Sequence, residues 1–211
     1  MKDIEQLVEM LAADASPVRP APPPLMLSIK LIGATTAYLA VSLAVSGLRP
    51  DLPAKLHEPW FCAEIATLMF IFLSSSISAA LLGFPDLHQQ RRAAFAPVAM
   101  FALFLPVVFF AWHADNPPAP LPVHSFECTF SITLVSLLPA AWTFYAIRRY
   151  ASTHHRLAGG IALISAFSVG ALWLRLHEVN DSVIHLIQWH YLPMLAFGLI
   201  GLWLGRVLLK W

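Results

Sequence analysis

The side chains best suited to bind a soft metal or answer an oxidant are two cysteines, Cys62 and Cys128, and a set of histidines. Cys128, His177 and His190 form the leading group, with Glu178 beside His177 and His124 four residues before Cys128. A thiolate with imidazoles and a carboxylate suits Zn or Cu. The same group suits oxidant sensing, because a protonated imidazole near a thiol favours the reactive thiolate. Four-residue spacing puts His124 on the face of Cys128 if that helix begins early, and Pro122 limits how early. His177, Asp181 and His185 repeat the spacing in a stretch whose form the sequence leaves open. No CxxC or HExxH pattern occurs, so separate segments must bring the donors together. Otherwise each histidine sits singly in the headgroup region, half-solvated and without a role. Cys62 reads as a small core residue, and a disulfide to Cys128 would need the two Cα atoms within about 7 Å. Glu64 and Arg175 are a second candidate pair, since a carboxyl at membrane depth must pair, face water or stay protonated.

The elements that must position these groups are apolar. Of 211 residues 58% are hydrophobic and 12% charged, about half the charge of a soluble domain. Six segments are long enough to span a bilayer: about 26–48, 61–83, 93–113, 126–147, 156–176 and 187–208. The expected fold is therefore an all-α membrane protein of six transmembrane helices. On one side lie Lys2, Arg19, Arg91, Arg92, Arg148, Arg149, Arg156, Arg206 and Lys210, with Lys30 able to snorkel back. Only Arg49, Lys55 and Arg175 lie on the other. The positive-inside rule then puts both termini in the cytoplasm and the Cys and most His outside. The lipid bilayer is one expected partner. A net charge of +1 argues against direct nucleic-acid binding. Ser74, Ser75, Ser76 and Ser78 read as helix-packing residues. No span carries a charge near its midplane, which disfavours a membrane enzyme or a proton-coupled carrier.

Three regions follow. Residues 1–16 form a cytoplasmic arm, 17–25 a Pro-rich linker, and 26–211 the six-helix domain. In the arm, Ile4, Leu7, Val8 and Leu11 recur at helical spacing, with Asp3, Glu5, Gln6 and Glu9 between them. This is a short, acidic, amphipathic helix. It could dock on the chain's own loops, lie on the membrane, or fit a partner's groove. A membrane anchor is usually basic. A helix this short is marginal alone, so folding on a partner suits it, and its acidic Glu5 and Glu9 favour a basic one.

The chain resembles the NrsF-type family, membrane anti-sigma factors with six spans. The opening IEQLVEMLAADASPVRP is similar to the family's amino-terminal signature. LRPDL at 48–52, with Pro59 and Phe61, resembles its first outer loop. Cys128 followed by SLLP at 136–139 resembles its fourth span, Leu176-His177 and Trp189-His190 its fifth-to-sixth segment, and LGRVLLKW its end. The resemblance implies a non-enzymatic regulator whose arm holds an extracytoplasmic-function sigma factor at the membrane until an outer stimulus, a heavy metal or an oxidant, releases it. It requires no cofactor, and a Zn or Cu ion would act as the signal. It also implies two outer cysteines, one at Cys128 and one directly after the histidine matching His177. Glu178 stands at the second position, which removes a Cys–Cys switch there and tilts the expectation toward metal. The rivals are a small metal or solute transporter using the same ligands as an entry site, and a membrane enzyme with the histidines as its metal centre.

Overall fold

The computed structural model describes residues 2–14, 21–85, 91–114 and 125–210. Its helices are α1 (Lys2–Ala13), α2 (Pro24–Ser46), α3 (Leu52–Lys55), α4 (Pro59–Leu82), α5 (Arg91–Ala94), α6 (Ala96–Ala114), α7 (Phe126–Arg148), α8 (His155–His177), α9 (Val183–Leu186) and α10 (Leu192–Leu208). A π-helical turn, Ile187–Tyr191, joins α9 to α10, so Val183–Leu208 is one rod. Among the described residues six helices are long and apolar enough to cross a membrane: α2, α4, α6, α7, α8 and this last rod. Among the described residues there is no strand.

The element ends differ from the hydropathy pattern where polar residues or prolines take part. Pro24 and Pro59 occupy the first turns of α2 and α4, where a missing N–H leaves no gap in the ladder. The Pro-rich linker therefore ends at residue 23, not 25. The third span opens at Ala96 rather than 93, after the separate turn α5. The last span opens at Val183 rather than 187, which turns a supposed loop residue, His185, into a helical one.

Helix α8 forms the centre. Of its membrane-length window 78% is buried, against 22% for α2, and it packs on α2, α4, α7 and α10. Between helices in lipid, packing comes from close van der Waals fit and hydrogen bonds rather than from hydrophobic exclusion. Small residues supply that fit. A Cβ added at Gly159 would overlap the backbone of Gly201 and Gly205, and one at Gly205 would overlap the His155 carbonyl. The Gly201-x-x-x-Gly205 spacing of α10 thus lets two backbones touch. Ser76 and Ser165 join α4 to α8 at 2.8 Å, while Ser74 and Ser75 bond back to carbonyls of their own helix.

Prolines create two of the links between helices. Pro139 inside α7 has no N–H to give the Val135 carbonyl, and the Tyr38 hydroxyl of α2 donates to that carbonyl instead, at 3.0 Å. Pro193 likewise leaves the Trp189 carbonyl free, and Thr129 of α7 donates to it at 2.7 Å. The ladder widens just ahead of Pro193, where Leu192 N–H reaches back five residues to Ile187 O.

The bundle has two ends. At the proximal end α2 begins and α10 finishes. At the distal end α2 finishes, α4, α7 and α9 begin, and α8 gives way to a short strap, residues 178–182. Helix α1 forms over the span its periodicity predicts, and Ile4, Leu7, Val8 and Leu11 are 51–67% exposed.

Candidate functional site

Four side chains converge at the distal end. Cys128 lies in the first turn of α7, Glu178 just past α8, His185 on α9 and His190 in the π turn. One donor atom from each lies within 4.8 Å of all the others. The Cys128 thiol donates to the Glu178 carboxylate, with Sγ 3.5 and 3.6 Å from its two oxygens. His190 Nε2 and His185 Nε2 approach the same carboxylate at 3.5 and 3.7 Å, too far for good hydrogen bonds. The two imidazoles meet edge to face, 5.1 Å between centroids.

The π turn explains how two histidines five residues apart share one site. On an α-helix they would point roughly 140° apart. Widening the turn swings His190 back toward His185. The Thr129–Trp189 bond then fixes this turn against α7, one residue from Cys128.

The electrostatics suit a cation. His185 and His190 are each 1% exposed, yet among the described residues His185 Nε2 and both ring nitrogens of His190 have no hydrogen-bond partner. Buried polar atoms are seldom left so. His185 Nδ1 bonds the Ser125 hydroxyl at 3.0 Å, and that contact orients the ring with Nε2 toward the cluster, as an outer-shell partner of a metal-binding histidine does. Burial raises the Glu178 carboxyl, but the neighbouring imidazoles of His190 and His185 outweigh it and hold the group below its ordinary range. Thiolate, carboxylate and two imidazoles make a four-donor set that fits tetrahedral Zn and accommodates Cu.

Of the residues singled out from sequence, Cys128, Glu178 and His190 come together. His177 does not join them. Its ring stacks on Trp173 and its Nδ1 lies 2.8 Å from the Gly47 carbonyl, because the last turn of α8 points it toward α2. His185 takes the place expected of His177. His124 lies outside the described residues. Cys62 and Cys128 are both free thiols, and Cys62 Sγ donates to the Leu56 carbonyl at 3.1 Å.

A second polar cluster shares the strap. Arg175 bonds Glu64 through Nε at 3.1 Å and Asp181 through Nη1 at 2.6 Å, so the Glu64–Arg175 pair anticipated from sequence forms. Arg49, its side chain fully buried, grips Asp51 at 2.7 and 2.8 Å and Asp181 at 3.0 Å through two nitrogens. Lys55 reaches Asp181 at 2.9 Å. Phe61 lies under both guanidinium groups, 4.8 and 5.5 Å from its centroid. Burial raises the Asp181 carboxyl, but hydrogen bonds from Arg49, Lys55 and Arg175 hold it well below the carboxylate range. The Tyr191 hydroxyl donates to Glu64, so neighbouring residues of the π turn serve the two clusters.

Comparison with known proteins adds the class. Residues 11–211 match the family model described as "NrsF: Negative regulator of sigma F". The "Anti-sigma-F factor NrsF" of Caulobacter vibrioides (strain NA1000 / CB15N) is 30% identical over 213 residues, covering 98% of this chain and 99% of that protein. No solved structure matches.

Proposed function

This chain belongs to the NrsF family of negative regulators of sigma F, and on that footing we propose that it holds an extracytoplasmic-function sigma factor at the inner membrane and releases it when a soft metal ion binds its distal end. The role is that of a regulator, not an enzyme. The arm 1–16 is the sigma-binding element. Ile4, Leu7, Val8 and Leu11 enter an apolar groove of the sigma factor, and Glu5 and Glu9 meet its basic rim. Their exposure in α1 supports this reading. The excess of Lys and Arg near the proximal end supports N-in, C-in topology, which puts the distal end in the periplasm.

The observation that carries the metal reading is the donor cluster with its unpartnered buried nitrogens. A Zn or Cu ion is its signal. Glu178 stands where the family resemblance places a second thiol, which favours ligation over disulfide formation. A transporter would need a polar path beneath the donors. Beneath Cys128, instead, Ile132, Phe167, Leu174 and Met194 pack as an apolar layer. A four-donor set also leaves no vacant tetrahedral position for an enzyme's substrate. Moving a switch from 1:99 to 99:1 takes about 5.5 kcal/mol of differential affinity, within the reach of a tight metal site.

The test uses full-length protein in nanodiscs with the cytoplasmic sigma factor that co-purifies with it. Zn2+ or Cu+ is added and the free sigma factor measured. Metal-dependent release that Cys128→Ser abolishes is expected, together with loss of sigma binding on deletion of residues 1–16. Release that is indifferent to Cys128, or a sigma factor still held without the arm, contradicts the reading.

A further inference from the structure

The arm joins α2, whereas the donor cluster lies on α7, α8 and the last rod, so a signal must cross between elements that do not adjoin in sequence. We propose that Arg49 and Asp181 form the relay. The proposal rests on the metal reading above.

The strap supplies the connection. Glu178 at its start and His185 just after it are both donors, and Asp181 lies between them. The donor atoms now lie up to 4.8 Å apart, whereas four ligands around Zn sit roughly 3.4–3.8 Å from one another. The Glu178 oxygens already lie 3.5–3.7 Å from the other three donors, so binding closes the gaps among Cys128, His185 and His190 and, by drawing in His185, displaces the segment that holds Asp181. Arg49 follows Asp181, because its guanidinium is fully buried and grips that carboxylate through two nitrogens. Arg49 N–H also donates to Leu176 O at 2.9 Å. Two further contacts lie alongside: Trp173 Nε1 donates to Ser46 Oγ at 3.0 Å, and His177 Nδ1 meets Gly47 O.

These polar contacts govern where α2 ends. Its buried residues, Leu27, Ser28, Leu31, Thr35 and Leu39, stop seven residues short of its distal end. Lipid provides no hydrophobic force to press the remaining turns onto α8. The distal end of α2 is thus seated by the clamp, while its inner part is seated by packing. A shift of the clamp tilts a stiff rod about 34 Å long, and the tilt reaches Pro24, where the Pro-rich linker attaches the arm. His177, set aside as a ligand, acts here as a positioning residue. Gly47 fits this role because its φ of +85° is a conformation that other residues adopt with strain.

Thermodynamic linkage supplies the test, since metal must weaken sigma binding by the same factor that sigma weakens metal binding. Full-length protein in nanodiscs is titrated with Zn2+ with and without the co-purifying sigma factor, and with sigma factor with and without Zn2+. Wild type should show a reciprocal factor of tenfold or more. Arg49→Gln should bind Zn2+ alone within about threefold of wild type while the reciprocal factor falls to near one. Arg49→Lys keeps the charge but loses the fork, guards against misfolding, and should lower the factor in part. His177→Ala should do the same. Wild-type coupling in all three variants overturns the relay and leaves the metal site standing. No Zn2+ binding by wild type overturns the site, and the relay with it.

Discussion

The two polar clusters at the distal end are built from one strap and treat their polar atoms in opposite ways. In the clamp, Arg49, Arg175 and Lys55 face Asp51, Glu64 and Asp181, and every charge has a partner. In the donor cluster, two buried imidazoles leave three ring nitrogens without a hydrogen bond among the described residues. Burial is similar, since Arg175, His185 and His190 are all under 5% exposed. The difference teaches what each cluster is for. A saturated network in a low dielectric resists change and carries displacement as a unit. An unsaturated one stores a cost that a ligand removes, and it is tolerated where function requires it.

The largest effect that could break this comparison is loss of the clamp. Arg175→Leu leaves Glu64 and Asp181 short of a cation inside the protein. Removing one member of a buried ion pair costs about 3–5 kcal/mol. Thermal unfolding in detergent should show a large drop in Tm, and Glu64→Gln with Arg175→Met together should cost less than Arg175→Leu alone. A loss below about 1 kcal/mol for Arg175→Leu would mean that the network is not coupled as its geometry suggests. The pH profile follows from Asp181. Its folded carboxyl is held far below its unfolded value. Its stabilising contribution is therefore complete above about pH 5 and is lost progressively in stronger acid. Between about pH 7 and pH 5 this group should leave Tm unchanged.

Next in size is the donor cluster's response to metal. Cys128→Ser replaces a thiolate with a poor ligand, and Zn2+ affinity should fall by about 100-fold or more, roughly 2.7 kcal/mol. The stability of the metal-free protein should change by less than about 0.5 kcal/mol, because the thiol makes only weak contacts to Glu178. Competition with a chelator measures the first, and melting without metal the second. Equal loss in both would erase the distinction between the clusters. Because metal displaces protons from Cys and His, Zn2+ affinity should also decline as pH falls from about 7.5 to 5.5.

How much of this was legible in the sequence depends on the kind of signal. Six helices follow from hydropathy because a span needs length and little else. Cys128, Glu178 and His190 could be read as candidates since each abuts a span end, and Glu64 with Arg175 since charge at membrane depth needs a partner. His185 falls before the hydropathy-defined start of the last span, yet it is helical. Apolar runs do not mark where a helix begins when Ser182 caps it and His185 and Gln188 fall in its first two turns. The signal lay in Pro193, four residues after Trp189, which frees a carbonyl and widens the turn ahead of it. His177 abuts the same span end as Glu178, and adjacency in sequence says nothing of the direction in which either side chain points. The backbone turns from helical to extended at Glu178, so the two side chains part. Arg49 showed only as an outer charge. Its link to Asp181, 132 residues away, has no local trace.

The smallest effect is the most discriminating, because its sign differs from that of the clamp. His190→Phe removes two ring nitrogens that make no hydrogen bond among the described residues of the metal-free protein, and with them only a 3.5 Å approach to Glu178. The replacement is apolar and of similar shape, and the ring is 1% exposed. The packing partners of the site, among them Tyr191 and His185 at their edge-to-face contacts, accept an aromatic ring. Removing an unsatisfied buried polar group is neutral or stabilising, so the metal-free variant should melt at the wild-type temperature or above, a gain of up to about 1 kcal/mol. With Zn2+ added, wild type should gain stability in proportion to metal bound while His190→Phe gains little. The two melting curves should therefore cross in order as metal is titrated. A variant that is less stable without metal would show that His190 is a satisfied structural group, and the contrast between a saturated clamp and an unsaturated site would fall with it.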